Sequence, residues 1–190
     1  MIIIGFSLLL ALIGGWLNGG SLLNLEKVKF KSVLFFIVGL MLQIPLRFGI
    51  PIDDYFPIHL LGNHLYILSL FLILFTIIMN LRLPGFKFLA LGASMNFLAI
   101  TANGGRMPLS YKAVEIAGMM KDLEIALQSG EWVHFAISKP GETLFPFLGD
   151  IIPLPLGSFF SRVISPGDIL IALGVFLFIF YSMRKPFTTT

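Results

Sequence analysis

The chain has 190 residues, 57% of them hydrophobic and 12% charged, with a mean hydropathy of +0.94. Soluble domains carry about 25% charged residues, so this composition excludes an ordinary water-soluble globule and predicts an integral membrane protein. There is no cysteine, which excludes disulfides, thiolate metal ligands and thiol nucleophiles.

Five apolar segments follow in chain order. The first, 1–17 (MIIIGFSLLLALIGGWL), has neither a basic leader nor a small-residue cleavage site and predicts a retained helix. The second covers 32–46, the third 59–79 and the fourth 86–101, the last two separated by the turn RLPG. The fifth, 168–183, reads DILIALGVFLFIFYSM. A hydrocarbon core about 30 Å thick takes roughly 17–25 apolar residues to cross. The expected fold class is therefore all-α: a single membrane domain, 1–190, of about five transmembrane helices, with 102–167 as one long segment outside the bilayer.

Charge orients this arrangement. Lys27, Lys29, Lys31, Arg82, Lys87, Arg184 and Lys185 fall on one side with Glu26 as the sole acid, and the other side holds six basic and nine acidic residues. Lysine and arginine concentrate on the cytoplasmic side, so the amino terminus and segment 102–167 are expected outside and the carboxyl terminus inside. The pI near 9.3 is read as this bias and not as a nucleic-acid surface.

Segment 102–167 carries its own signals. Ser110 is a candidate N-cap for a helix running to about Gln128, with Val114, Ala117, Met120, Leu123 and Leu127 at helical spacing. This amphipathic helix is expected to lie on the membrane surface or over the bundle. Beyond it, GEWVHFAISKPGETLFPFLGDIIPLPLGS predicts an extended, proline-rich run, with Trp132 and Phe135 suited to the membrane interface.

Candidate functional residues cluster near the outer ends of the helices. In the fourth segment Gly92, Asn96 and Asn103 share one helical face, a face that packs on a helix or lines a wet cavity. Asn103, Gly104, Gly105 and Arg106 then stand at the helix end. The two glycines allow a helix stop at a left-handed residue, or two free amides that form an anion-binding concavity beside Arg106. Ligand-binding candidates are thus Asn96, Asn103, Gly104, Gly105, Arg106 and His134. No second histidine stands at ligand spacing from His134, so neither a metal nor a cofactor is expected. Ser165, Pro166 and Asp168 fit N-cap, N1 and N3 of the last helix. Asp168 and Asp150 also pair as candidate catalytic carboxylates, two acids that cannot both ionise easily at close range.

Three stretches, NGGRMP at 103–108, LGDIIPLP at 148–155 and SPGDILIALG at 165–174, resemble a family of bacterial multi-pass membrane proteins known as domain of unknown function 5317. The resemblance implies a multi-pass membrane fold and no activity; the expected location is the cytoplasmic membrane. A second set, NFLAITANGG and SPGDILIALG, is similar to lipoprotein signal peptidase, an aspartyl membrane protease. That similarity implies a hydrolase with Asp168 as one catalytic acid. Here Asp150 falls where that family has asparagine and Pro153 where it has its first catalytic aspartate. Three functions are expected to compete: binding or transport of a lipid or small molecule at an outward cavity, hydrolysis through Asp150 and Asp168, and a structural or regulatory role. The expected partners are membrane lipids, then a second membrane protein or a second copy of the chain.

Overall fold

The computed structural model describes residues 2–48, 58–128, 134–157 and 160–184. Most of them are helical. Five long helices, α1 (Ile2–Leu17), α2 (Val33–Phe48), α3 (Ile58–Met79), α4 (Phe86–Ala102) and α7 (Pro166–Arg184), cover the apolar segments, each end within two residues of the boundary set by hydropathy. Two of them, over Leu61–Met79 and Pro166–Arg184, are long and apolar enough to cross a membrane, and α1, α4 and the stretch Val33–Ile44 of α2 are shorter apolar helices. Two short helices, α5 (Tyr111–Ile116) and α6 (Met120–Gln128), lie in the segment between α4 and α7.

That segment adds short strands to a fold that is otherwise helical, as expected. It contains four three-residue strands: β1 (Met107–Leu109), β2 (Phe135–Ile137), β3 (Ile152–Leu154) and β4 (Arg162–Ile164). β1 pairs with β2 in parallel, and β3 with β4 antiparallel. The single helix expected over 110–128 is also broken. Ser110 does cap α5, accepting from the Ala113 amide at 3.3 Å. Gly118 then turns left-handed (φ 71°), and the amides of Gly118 and Met119 close back on Glu115 and Val114. That pair of bonds ends a helix. The proline-rich run is likewise not merely extended: it supplies β2, a 3₁₀ turn at Pro146–Leu148, and β3. Trp132 lies outside the described residues.

α7 is the central element, packed between α1 and α4, while α3 joins α4 to α2. The α4–α7 crossing is set by glycines seven residues apart on each helix. Gly85 faces Gly174 and Gly92 faces Gly167, so closely that a Cβ on Gly85 would stand 2.1 Å from the Gly174 carbonyl oxygen and one on Gly92 2.4 Å from that of Gly167. Small residues of this kind let helix backbones approach. Gly85 has a second constraint, a left-handed φ of 77° in the RLPG turn. On the other flank of α7, the buried Ser7 hydroxyl of α1 donates to the Ala172 carbonyl.

The end of the molecule that holds the 18–32 linker, the RLPG turn and the tip of α7 is locked by one side chain. Asn80 accepts from the Lys31 amide (2.8 Å) and donates to the Lys31 carbonyl (2.9 Å), reading that backbone as a neighbouring strand would. Val28, Leu83 and Phe86 pack beneath it against Phe178. Lys27, Lys29, Lys31, Arg82, Lys87 and Arg184 are all exposed at this end.

Candidate functional site

At the opposite end a cavity of about 760 Å³ lies between the helix ends and the 102–167 segment. Its polar lining comes from Gln43 of α2, Tyr66 of α3, Asn96 of α4, Asp122 of α6, His134, Asp150, Arg162 of β4 and Asp168 of α7. Its apolar walls include Leu46, Ile100, Met107, Val114, Leu123 and Ile164.

Local structure explains how the floor is assembled. Ser165 is the N-cap of α7 and Asp168 its third residue. The Asp168 amide donates to Ser165 Oγ (3.0 Å), and the Ser165 amide returns a bond to Asp168 Oδ2 (3.2 Å). This is a reciprocal capping box with Asp in place of Glu. Asn96 then crosses from α4, its Nδ2 donating to Asp168 Oδ1 (2.9 Å) and its Oδ1 accepting from Ser165 Oγ (2.9 Å). The contact is possible because residue 167 is glycine: a Cβ there would lie 2.1 Å from Asn96 Oδ1. Both carboxylate oxygens of Asp168 are therefore engaged within the protein.

Asp150 reaches the same cavity by a different route. Its backbone is held on β1, the amide donating to the Pro108 carbonyl (2.8 Å) and the carbonyl accepting from the Ser110 amide (2.9 Å). Proline is tolerated inside β1 because its missing donor faces this side, while Met107 N and Leu109 O serve the β2 side through His134 O and Ser138 N. The β3–β4 hairpin pairs Ile152 with Ile164, and extending that register two residues sets Asp150 opposite Pro166, beside the start of α7. Among the described residues no donor or cation pairs with the Asp150 carboxylate. Burial, and then the negative charge of Asp168, push it up from the usual value near 3.8 to about 7, against a smaller opposing pull from the amino-terminal charge.

Of the eight residues singled out in the sequence, Asn96, His134, Asp150 and Asp168 line the cavity; Asn103, Gly104, Gly105 and Arg106 do not. The last four have other work. Gly104 (φ 66°) and Gly105 (φ 88°) end α4, their amides donating to Thr101 O (3.3 Å) and Ile100 O (2.9 Å). This is the helix stop, and it spends the amides an anion would need. Gly105 also seats against α3, where a Cβ would stand 2.7 Å from that of Asn63. Asn103 donates to Leu144 O (2.8 Å) and accepts from Leu144 N (3.0 Å), the same backbone-reading use that Asn80 makes of Lys31. Arg106 is exposed. Gln43, Tyr66, Asp122 and Arg162 were missed. A glutamine inside an apolar run and a lone arginine in SFFSRVIS were the available signals. Among the described residues no three His, Asp or Glu side chains converge as a metal site would need.

An α-helical protein built of apolar helices, with an acidic cavity at one end, is the class that fold and site define. The chain belongs to the family of unknown function DUF5317, which matches residues 27–180. It is similar to an uncharacterized protein of Thermotoga maritima, 31% identical over 173 residues that cover 90% of this chain and 85% of the relative. A similarity to lipoprotein signal peptidase is not shown by either match. No solved structure matches the chain.

Proposed function

We propose that all five long helices cross the bacterial cytoplasmic membrane, with segment 102–167 outside, and that the cavity beneath this segment binds a lipid or a small amphiphilic molecule for recognition or transport. The observation that carries the binding role is the cavity's make-up. Small-molecule sites are typically about 300–1,000 Å³, apolar-walled, with a few convergent polar groups, and 760 Å³ with Asn96, Asp150 and Asp168 at the floor fits that description. Orientation is supported by the exposed lysines and arginines gathered at the other end of the helices. Binding is favoured over hydrolysis because Asp168 already accepts from Asn96 and Ser165 with both oxygens, which suits a fixed floor better than a carboxyl that must shuttle protons.

The binding role is tested by native mass spectrometry of protein extracted from membranes in mild detergent. A bound molecule of lipid or metabolite mass is expected on the wild type. It should be weakened by Ala126→Trp, whose ring intrudes into the cavity from α6, provided the variant keeps its melting temperature. A wild type with no bound mass, or the same mass at the same occupancy on the narrowed variant, would sink the idea. Topology has its own expected result: in intact cells Lys139→Cys reacts with a membrane-impermeant maleimide and Lys29→Cys does not, until the membrane is opened. The reverse labelling pattern would invert the orientation.

A further inference from the structure

We infer that Leu144, Phe145, Pro146 and Phe147 form a rigid wedge that inserts into the outer lipid leaflet at the rim of the cavity. The inference rests on the five-span reading above.

The wedge is fastened at both ends and bare in the middle. At its start, Asn103 holds both backbone groups of Leu144. At its end, Leu148 packs on Ala99, Ile100 and Met107, and Gly149 presses on β1, where a Cβ would stand 2.4 Å from the Pro108 carbonyl oxygen. Between these anchors Leu144 is 55% exposed, Phe145 39% and Phe147 62%. The two rings meet edge to face at 6.3 Å. Phe145 is left-handed (φ 50°), a conformation that a bulky residue keeps only where its surroundings impose it. Proline follows and fixes the next φ. A loop free to turn its aromatic rings inward would do so; this one is built to hold them out.

Depth points to lipid as the occupant. α4 has 17 residues, about 25 Å of helix at 1.5 Å per residue, against a hydrocarbon core of about 30 Å. If α4 crosses the bilayer, its last turn falls short of the far boundary. Asn103 is the next residue, so the wedge it clamps sits at the acyl–headgroup level, where aromatic side chains are favoured. No charged residue interrupts 144–148, and the nearest preceding charges, Lys139 and Glu142, pair with each other at 3.4 Å. Ile100 and Met107, on which Leu148 packs, also line the cavity, so the wedge lies against the cavity wall.

The test uses the full-length protein in phosphatidylcholine vesicles, with the native tryptophans removed (Trp16→Phe, Trp132→Phe) and one reporter added. Phe147→Trp is expected to lose most of its emission to lipids brominated high on the acyl chain, and little to aqueous iodide. Phe71→Trp, on the exposed face of α3, reports the spanning helices and should be quenched by lipids brominated deeper in the chain. If the position-71 reporter is quenched and the position-147 reporter answers only to iodide, the wedge is wrong and the spanning reading stands. If the position-147 reporter answers to neither quencher, a protein surface covers it and the lipid assignment is overturned. If neither reporter responds to brominated lipid, both readings fall.

Discussion

Gly167→Ala is expected to destabilise the protein by about 4 kcal/mol, a large share of a folding free energy of about 5–15 kcal/mol. One methyl group is enough because of where it would stand. A Cβ at 167 lies 2.1 Å from Asn96 Oδ1 and 2.7 Å from the Gly92 carbonyl oxygen, and neither is the free end of a flexible chain. α4 and α7 must separate, which carries the usual overpacking cost of about 1–3 kcal/mol. Separation also parts Asn96 from Ser165 and Asp168, and each buried polar group left without a partner costs about 1–3 kcal/mol more. The contrast is Gly5→Ala on α1. That position has nothing within 4 Å of the added carbon, and alanine is the better helix former by about 1 kcal/mol, so the change should be neutral or mildly stabilising. Thermal unfolding in detergent, followed by loss of the monodisperse peak, separates the two. Equal melting temperatures for both variants would mean that the glycines do not set the α4–α7 crossing.

How far the sequence disclosed this arrangement differs from element to element. Long apolar runs with few interruptions define the five long helices, because hydropathy averages over many residues. Ser165, Pro166 and Asp168 disclosed the start of α7, since each residue type suits one capping position and no other. The matched spacing of Gly85 and Gly92 with Gly167 and Gly174 was also present in the sequence, but a glycine pattern does not say which helix it meets. The strands were not legible: three residues are too few to show alternation, and β1–β2 is a parallel pairing of distant segments. That matters for the site. Asp150 is brought toward Asp168 by the β3–β4 register and by backbone bonds to β1, neither of which leaves a periodic trace. NGGRMP misled for a chemical reason. Asparagine and paired glycines bind ligands and terminate helices with the same groups, and here the Gly104 and Gly105 amides and the Asn103 side chain are committed to backbone.

Asp150→Asn is expected to stabilise the protein above neutral pH and to leave it unchanged near pH 4. The native carboxyl holds its proton up to about pH 7, whereas the unfolded chain releases it near 3.8. Between those values the native state binds more protons than the unfolded state, so stability falls as pH rises through the window and levels off above it. A rise of about three pKa units is worth at most about 4 kcal/mol, and water entering the cavity reduces that figure. Asparagine carries no charge at any pH, so it removes the penalty of ionising a carboxylate that no donor or cation among the described residues meets. The wild type alone is a poor reporter. Asp122, His134, Arg162 and Asp168 face the same cavity, the amino-terminal charge also acts on Asp150, and histidines and α-amino groups as residue types ordinarily titrate near 6.5 and about 8. The quantity to measure is the difference in melting temperature between Asp150→Asn and wild type from pH 4 to pH 9, with the same series in a His134→Gln background. The difference should open between about pH 4 and pH 7 in both backgrounds. Parallel curves would mean that Asp150 ionises freely in the folded protein, and the cavity floor would then be wetter than its walls suggest. A difference that vanishes with His134→Gln would assign the titration to the histidine. If the difference opens as expected and then shrinks when membrane extract is added at pH 8, the bound molecule is one that compensates a bare carboxylate, with a positive charge or with hydrogen-bond donors.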